Sequence, residues 1–297
     1  MKLSKRPYWW AVTYFILLFA FTVYVLLDTF VIERKYKPAT DSDTGEKMSD
    51  NYVLNEDGFA DDNITISISQ TRYCETDIYI ADITLSDISY LKTAMASDTY
   101  GKNVKDYTSV IARQKNAILA INGDYYGARN VGYVVRQGQL FRSLAGDYAQ
   151  QDLVIYSDGT AEIINECEVS AEELTENGAR HVFSFGPGLI DNGEITVGEY
   201  QEVDRAKSSN PRTAIGYYSP LHFVFLTADG RTDESAGLTL YQLAQFMKDE
   251  LGTVLAYNLD GGGSSTFVFD GKVINKPTSD GDSIRERSVS DIVYIGY

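Results

Sequence analysis

The stretch VLAYNLDGGGSSTFVF, residues 254–269, places three consecutive glycines between two short apolar runs. Apolar runs of this length, bounded by turn residues, are typical of buried strands. A tight hairpin needs only one or two residues with positive φ, usually supplied by Asn-Gly or Asp-Gly. Because three glycines and two serines exceed that need, the loop is predicted to be a ligand site that the backbone approaches closely. The alternative is a tight turn in which Asn258 and Asp260 bond to their own backbone.

A second junction of the same kind lies earlier in the chain. The apolar run at 117–121 leads directly into Asn122, Gly123 and Asp124. If the two strands end side by side, the Asn and Asp of both junctions share one rim, where ligands of α/β sheets tend to bind. On spacing alone, two tight turns explain these junctions equally well.

The charge of the chain restricts the ligands that it can bind. Asp and Glu number 42 against 26 Lys and Arg, and the net charge of −16 argues against nucleic-acid binding. An anionic ligand would need arginines that reverse the local field. Two candidates stand in polar segments: Arg212 in NPRTAIG and Arg231 in ADGR. A surface ion pair is the alternative role for either arginine.

The residue pattern argues against several catalytic chemistries. No Lys follows the triple glycine as in a P-loop, and residues 262–266 lack the final glycine of a nucleophile elbow. The two histidines lie in apolar segments, where packing is the expected role. Carboxylates therefore lead as acid or base, with Asp260 first and Asp124 second. Cys74 and Cys167 lack CxxC spacing, and both a disulfide and two separate thiols fit the sequence.

The N-terminal region predicts a single-pass membrane anchor. Residues 9–27 carry no charge, and at about 1.5 Å per residue they would span roughly the 30 Å of a hydrocarbon core. No small-x-small cleavage site follows, which favours an uncleaved signal-anchor helix. Three basic residues in the tail, residues 1–8, place it in the cytoplasm and the rest of the chain outside the cell. Residues 28–62 are polar and acidic, which predicts a linker with few contacts.

Residues 63–297 predict one α+β domain with a mixed β-sheet core and flanking helices. Isoleucines alternate with polar residues at 64–68 and recur at 78–83, which indicates two early strands. Helical spacing appears around 109–115. The clearest helix, residues 239–251, begins with a capping box and carries one apolar stripe.

Five motifs occur in an order that resembles the phosphodiester glycosidase family, which includes the mannose 6-phosphate uncovering enzyme. They are AINGDYYG (120–127), FGPGLI (185–190), NPRTAIGY (210–217), DGRTDESAGLTLYQLAQFMKDELG (229–252) and NLDGGGSSTF (258–267). The resemblance implies a hydrolase that cleaves a sugar-1-phosphodiester to a sugar and a phosphomonoester. It also implies a membrane-anchored extracellular member, for which we expect a cell-envelope or exopolysaccharide glycopolymer as substrate.

The resemblance carries over to particular residues. The family's motif positions match Asn122, Gly123, Arg212, Asp260, Gly261, Gly262, Ser264 and Ser265. A departing phosphate needs charge neutralisation more than a proton, so we expect Arg212 and Arg231 to bind it. We expect the N–H groups of residues 261–263 to donate to it, Asn258 to complete the binding set, and Asp260 or Asp124 to act as nucleophile or base. Asp124 stands where many members carry a second glycine, which weakens its assignment.

Two other functions fit the same residues. A non-catalytic cell-wall polymer binding protein, or an exopolysaccharide assembly protein, would keep the fold without turnover. A divalent cation such as calcium on the Asp rim would instead make the chain a metallophosphoesterase. Because the sequence lacks the histidines and closely spaced carboxylates of such sites, we expect no metal and no cofactor.

Overall fold

The computed structural model describes residues 8–39, 48–146, 150–203 and 209–297. These residues contain four α-helices: α1 Trp9–Phe30, α2 Thr108–Gln114, α3 Ala171–Glu176 and α4 Leu240–Asp249. They also contain four short 3₁₀ turns: Ile88–Tyr90, Ala96–Asp98, Tyr126–Ala128 and Gly262–Ser264.

More of the described residues lie in β-strands than in helices. The strands in its first half are β1 Arg34–Pro38, β2 Val53–Asn55, β3 Gly58–Ala60, β4 Ile64–Tyr73, β5 Thr76–Leu85, β6 Leu91–Met95, β7 Thr99–Lys102, β8 Leu119–Asn122, β9 Val134–Arg136 and β10 Gln139–Arg142. Those in its second half are β11 Gln151–Tyr156, β12 Ala161–Asn165, β13 Ala179–Phe183, β14 Gly188–Asp191, β15 Glu194–Ile195, β16 Arg212–Ser219, β17 His222–Ala228, β18 Leu255–Asn258, β19 Phe267–Phe269, β20 Lys272–Val273 and β21 Asp291–Ile295.

The strands form three larger sheets and one two-stranded ribbon. The nine-stranded sheet has the order β15-β14-β18-β16-β17-β5-β4-β3-β2, and the ribbon joins β1 to β7. One five-stranded sheet has the order β20-β19-β8-β21-β6, and the other has the order β10-β9-β13-β11-β12. Within the described residues all strand pairs are antiparallel. The predicted α+β class is confirmed: a single domain of sheets with few helices follows one apolar N-terminal helix.

One hydrophobic core lies between the three sheets. Each sheet contributes buried side chains to it, for example Ile83, Ile121 and Phe183. The outer face of the nine-stranded sheet is covered by α4, whose Leu243 and Met247 pack into a second cluster. The capping box predicted for α4 is present, because Thr239 Oγ1 accepts from Gln242 N at 3.0 Å while Gln242 Oε1 accepts from Thr239 N at 3.0 Å. The apolar stripe of α4 therefore fixes this helix where the spacing predicted it.

The N-terminal helix is three residues longer than the predicted span. It runs for 22 residues, which corresponds to about 33 Å. By length and composition it could cross a membrane, and none of its residues is buried against the rest of the chain. Residues 1–7 of the expected cytoplasmic tail lie outside the described residues.

The C-terminal end of α1 is fixed to the domain. Asn103 Nδ2 donates to the carbonyl oxygens of Thr29 at 3.1 Å and Ile32 at 3.2 Å, which lie at or just beyond the last turn of the helix. Only residues 31–33 separate α1 from β1, which pairs with β7 just before Asn103. The last carbonyls of a helix need partners from outside the helix, and here the folded domain supplies them.

The prediction of a linker with few contacts over residues 28–62 is wrong for the parts of this segment that are described. β2 and β3 form a hairpin, and β3 extends the nine-stranded sheet by pairing with β4. Phe59 from this segment is buried in the main core. The acidic composition concealed these strands because each is only three residues long, too short to show a clear alternation of apolar and polar residues. Residues 40–47 of the predicted linker lie outside the described residues.

Both cysteines are free in the structure. Cys74 and Cys167 are exposed and unpaired. Of the two alternatives that the sequence left open, separate thiols are therefore present.

The junction between α1 and the domain is testable with Asn103→Gly. Glycine adopts the left-handed backbone of Asn103, φ +59°, without strain and removes only the side-chain amide. Loss of its hydrogen bonds costs about 1–2 kcal/mol, so amide hydrogen exchange in β1 should accelerate by about tenfold. Asn116→Gly, at an exposed asparagine with φ +50°, is the matched control. Unchanged exchange in the Asn103 variant would show that the amide does not hold the junction.

Candidate active site

Three strands of the nine-stranded sheet bring the predicted site residues to one end of that sheet. Arg212 is the first residue of β16 and lies opposite Ala228, the last residue of β17. On its other side β16 pairs with β18, with Ala214 opposite Asn258. Because β17 and β18 both end beside the start of β16, the segments that follow them, which carry Arg231 and Asp260, meet around Arg212.

The ends of β8 and β18 do come together as predicted for a shared rim, but the two strands are not neighbours in one sheet. β8 belongs to a five-stranded sheet and β18 to the nine-stranded one, so the two strands are not neighbours. Asn122 nevertheless reaches the loop after β18, since its Nδ2 donates to Asp260 O at 2.7 Å. Its Oδ1 accepts from Thr213 Oγ1 at 2.8 Å and from Thr266 N at 3.3 Å. Asn122 is buried and ties the two sheets together beneath the site.

A cavity of about 160 Å³ opens at this end of the sheet. Its walls are formed by Phe185, Val203, Asn210, Arg212, Arg231, Asn258, Asp260, Gly261, Gly262 and Arg287. Three guanidinium groups and one carboxylate thus face a single space in a chain of strongly negative net charge. Such a wall suits a ligand that carries negative charge.

Arg287 holds the carboxylate of Asp260. Its Nη2 lies 3.1 Å from Oδ1 and 3.0 Å from Oδ2, and it also donates to Gly261 O at 3.0 Å. The Nε of the same guanidinium donates to Ser264 Oγ at 2.9 Å. Burial raises the pKa of the Asp260 carboxyl above its ordinary value, and the positive charge of Arg287 opposes that rise.

Arg212 and Arg231 present two further guanidinium groups to the cavity. Arg212 is buried, and it donates to Leu238 O at 2.8 Å and to Glu202 Oε2 at 2.5 Å. Arg231 donates to Asn210 Oδ1 at 2.9 Å and to Ser279 O at 2.7 Å. Burial lowers the pKa of both arginines. The carboxylate of Glu202 opposes this effect at Arg212, while the positive charge of a neighbouring arginine adds to the lowering at both positions. A bound anion would relieve that repulsion.

The model of the phosphodiester glycosidase family matches residues 115–296, more than half of the chain. This chain belongs to the phosphodiester glycosidase family. The match contains every residue that lines the cavity.

Similar proteins are known from bacteria and vertebrates. The chain is 28% identical over 265 residues to the SPbeta prophage-derived uncharacterized protein YomE of Bacillus subtilis (strain 168), covering 83% of this chain and 40% of YomE. It is 33% identical over 184 residues to the N-acetylglucosamine-1-phosphodiester alpha-N-acetylglucosaminidase of Bos taurus, covering 56% of this chain and 34% of that enzyme. The chain therefore spans well under half the length of these curated relatives.

The fold matches a solved member of the family. The catalytic domain of zebrafish N-acetylglucosamine-1-phosphodiester alpha-N-acetylglucosaminidase, auto-inhibited by its pro-peptide, superimposes with a TM-score of 0.62 at 21% identity. The superposition covers 90% of this chain and 89% of the zebrafish one. At this level of identity the match shows a shared fold.

The three glycines of the loop after β18 serve close packing within the protein. A Cβ on Gly262, whose φ is +61°, would lie 2.8 Å from Arg231 Nη2, and one on Gly263 would lie 2.0 Å from Ser279 Oγ. Gly262 N already donates to Pro211 O at 2.8 Å. The expectation that this N–H donates to a ligand is therefore wrong, because the backbone before β16 has taken it. The glycine-rich loop instead lets the guanidinium of Arg231 lie directly against the backbone.

Asp124 lies behind the cavity wall. Its carboxylate accepts from Ser184 N at 3.1 Å and from Tyr126 N at 3.1 Å, and it pairs with Arg136 at 2.9 Å. Arg136 also pairs with Asp291 at 2.9 Å, so one buried guanidinium bridges two carboxylates. A catalytic role for Asp124 does not fit this arrangement, because the carboxylate is enclosed and its oxygens are engaged by structural donors.

The other predicted residues support the loop from behind. Gly123 packs against Asp291, whose side chain a Cβ would approach to 2.3 Å, and Ser264 accepts the hydrogen bond from Arg287. Ser265 is buried, and its carbonyl accepts from Asn275 Nδ2 at 3.0 Å. The structure therefore gathers Asp260, Arg212, Arg231, Asn258, Gly261 and Gly262 at the cavity and places Asn122, Gly123, Gly263, Ser264 and Ser265 beneath or behind it.

Sequence reasoning missed two important residues. Arg287 stands 27 residues after Asp260, in a segment without a periodic pattern. Its positive charge in an acidic chain was the one sequence signal that could have identified it as a site residue. Asp229 follows β17 and accepts from Asn275 Nδ2 at 2.9 Å and from Lys276 N at 3.1 Å. Since Asn275 also holds Ser265, Asp229 braces the glycine-rich loop through one intermediate residue.

The histidines lie away from the cavity wall. His181 is buried, with Nε2 3.2 Å from Leu91 O, and His222 lies beside Asp82 at 2.9 Å. Within the residues that the structure describes, no group of three or more His, Cys, Asp or Glu side chains is arranged to hold a metal ion.

The close packing of the loop is testable with Gly262→Ala. Gly271→Ala is the matched control, because Gly271 has a similar φ of +69° and an added Cβ meets no atom within 4 Å. Left-handed strain costs each variant about 1–2 kcal/mol, so each should lose several degrees in melting temperature. Gly262→Ala should also displace Arg231 and weaken binding of inorganic phosphate by at least about tenfold, as measured by calorimetry. Equal phosphate affinity in the two variants would show that the contact with Arg231 is unimportant.

Proposed function

We propose that this chain hydrolyses a sugar-1-phosphodiester to free sugar and a phosphomonoester. The observation that carries the proposal is the cavity in which the Asp260 carboxylate, held by Arg287, faces the same space as Arg212 and Arg231. Membership of the phosphodiester glycosidase family and the names of its vertebrate relatives support the same reaction class.

The arginines suit the leaving group of this reaction. When the bond between the anomeric carbon and its oxygen breaks, the electron pair stays on the phosphate, which departs as a phosphomonoester. That group is already a stabilised anion, so neutralising its charge matters more than protonating it. Arg231 and Arg212 supply fixed positive charge at the cavity wall, and arginine presents a planar set of donors that matches phosphate oxygens.

Asp260 supplies the carboxylate at the anomeric carbon. As a base, it takes a proton from the water that attacks the anomeric carbon. As a nucleophile, it bonds to the anomeric carbon while the bond to the phosphate oxygen breaks, and water then hydrolyses the resulting ester and restores the carboxylate. On either route a water oxygen becomes the new hydroxyl of the sugar. Burial places its pKa above the ordinary value, which makes it a stronger base than an exposed aspartate. The positive charge of Arg287 opposes that rise in pKa, and its Nη2 orients the carboxylate.

Asn258 is suited to bind the sugar. Its Nδ2 donates to Gly186 O at 2.8 Å, while its Oδ1 is buried and has no hydrogen-bond partner in the described part of the chain. An unsatisfied buried acceptor costs free energy unless a ligand pairs with it. A sugar hydroxyl would pair with Oδ1, and Phe185 would offer an apolar surface on the same wall.

We further propose where the reaction takes place. The apolar helix α1 anchors the chain in the cell membrane, with the N-terminus in the cytoplasm and the domain outside the cell. The substrate is then a glycopolymer of the cell envelope or an exopolysaccharide, and the reaction needs no metal or other cofactor.

A soluble fragment that binds such a polymer but releases no free sugar from a sugar-1-phosphodiester would point to a binding or assembly protein instead.

Asp260→Asn tests the role of the carboxylate. An amide retains the shape of the side chain but cannot act as base or nucleophile, so turnover of a sugar-1-phosphodiester should fall by about 10² to 10⁴. Asp249→Asn, at an exposed site on α4, should leave turnover unchanged. The measurement is the release of free sugar, with the melting temperature as a check on folding. Full activity of the Asp260 variant would remove this residue from the mechanism.

Arg212→Ala tests the recognition of phosphate. If Arg212 binds the departing phosphate, kcat/KM should fall by at least about tenfold more on a sugar-1-phosphodiester than on an uncharged aryl glycoside. Arg113→Ala, an exposed arginine on α2, is the control for a general loss of positive charge. Equal losses on the two substrates would contradict a role in phosphate binding.

A further inference from the structure

We propose that the face of the domain around the end of α1 rests on the surface of a lipid bilayer. The exposed and half-exposed residues that define this anchor-side face are Lys35, Lys37, Tyr125, Arg129, Val131 and Leu144. The inference goes beyond the proposed hydrolysis and does not depend on it.

The connection between α1 and the domain leaves no room for a spacer. Residues 31–33 are the only link between α1 and β1, and three extended residues span at most about 10 Å. Asn103 lies on the domain side of this link, and its side-chain amide donates to Thr29 O in the last turn of α1 and to Ile32 O within the link. If α1 lies in a membrane, β1 and its partner β7 therefore lie at the level of the lipid headgroups.

The loop that carries Tyr125, Arg129 and Val131 is attached to the same junction. Asn103 N donates to Gly127 O at 3.2 Å within this loop. Arg142 fixes the loop from the other side, with Nη1 2.8 Å from Arg129 O and Nε 2.5 Å from Gly132 O. These contacts place the loop beside the end of α1 and hold its shape.

The anchor-side face is apolar at its outermost positions. Tyr125 and Val131 are each 40% exposed, and Leu144 is 61% exposed. Leu144 O accepts from Gly132 N at 2.8 Å, so Leu144 and Val131 lie on neighbouring segments. Exposed apolar side chains grouped in this way, next to an apolar helix, are typical of surfaces that contact the interface of a bilayer.

The charge of this face is opposite to that of the whole chain. The exposed and half-exposed part of residues 125–146 presents Arg129 and no acidic residue, whereas the chain as a whole carries −16; Arg136 in the same segment is buried in its pairs with Asp124 and Asp291. β1 adds Lys35 and Lys37, and Lys37 Nζ lies 5.0 Å from the ring centroid of Phe141 and 3.3 Å from Leu140 O. Basic side chains beside apolar ones match a layer of anionic headgroups over acyl chains, and this complementarity favours a bilayer over a soluble partner.

The position of Arg129 links this face to the cavity. Its guanidinium lies 4.9 Å from the ring centroid of Phe185, which lines the cavity, and its Nη1 donates to Ser184 O at 3.3 Å. The cavity wall is therefore one side chain away from the anchor-side face. A domain resting on this face would hold its cavity wall close to the membrane surface.

The test compares two labelled positions in the full chain reconstituted in lipid vesicles. In a Cys74→Ser/Cys167→Ser background, a single cysteine replaces Leu144 or, as the matched control, the exposed Ser157 and carries an environment-sensitive fluorophore. Ser157 N donates to Gly178 O, at the opposite end of the same five-stranded sheet, and the six residues of β11 between the two ends span about 20 Å. The vesicles contain anionic lipid and lipid with a nitroxide on its headgroup.

The two positions should respond differently. The fluorophore at position 144 should be quenched at least about fivefold more strongly than the one at position 157. Exposed apolar groups on a membrane-bound face enter the boundary between headgroups and acyl chains, where the nitroxide label lies within reach. Val131→Cys should behave like Leu144→Cys, so that failure of one variant to fold does not decide the result. Equal quenching at 144 and 157 would overturn the proposal. The fluorophore at position 144 could instead report an apolar environment that grows with protein concentration, without quenching by the labelled lipid. That result would assign the face to contact with a second copy of the chain and would also overturn the proposal.

Discussion

The ion pair between Asp260 and Arg287 is the interaction on which the site depends. A carboxylate buried at the end of a sheet becomes protonated or misplaced unless a positive charge and hydrogen bonds hold it. Arg287 donates to both oxygens of Asp260, to Gly261 O and to Ser264 Oγ, and so fixes the carboxylate and the loop that carries it. This arrangement offsets part of the cost of burying that carboxylate, which makes position 287 as important to the site as position 260.

The fold supports this pair by closing three sheets around one core and directing their ends to one place. Asn122 joins a five-stranded sheet to the nine-stranded sheet by bonding to Asp260 O and Thr213 Oγ1. Asp229 and Asn275 hold the far side of the loop. Each of these groups is buried and hydrogen-bonded, and together they allow the cavity to keep three arginines close despite their mutual repulsion.

The sequence predicted the elements well where the pattern is periodic. The alternation at 64–68, the apolar run at 117–121 and the stripe of α4 all appear in the structure as a strand, a buried strand and a helix. It also predicted Asp260, Arg212 and Arg231 as site residues, and these three residues line the same cavity. It could not reveal Arg287 or the enclosure of Asp124 by Arg136, because ion pairs between distant residues leave no periodic signal. It also mistook the short strands before residue 63 for a linker, since strands of three to five residues in an acidic segment show no clear periodic pattern, and the partner of β1 lies far along the chain.

A crystal structure of the protein with a sugar-1-phosphate bound would test the central claim most directly. The account predicts that the phosphate oxygens lie within hydrogen-bond distance of Arg231 or Arg212. It also predicts that the anomeric carbon lies about 3–3.5 Å from an Asp260 oxygen, or is separated from it by one water molecule. A phosphate bound outside this cavity, or an anomeric carbon facing away from Asp260, would contradict the account.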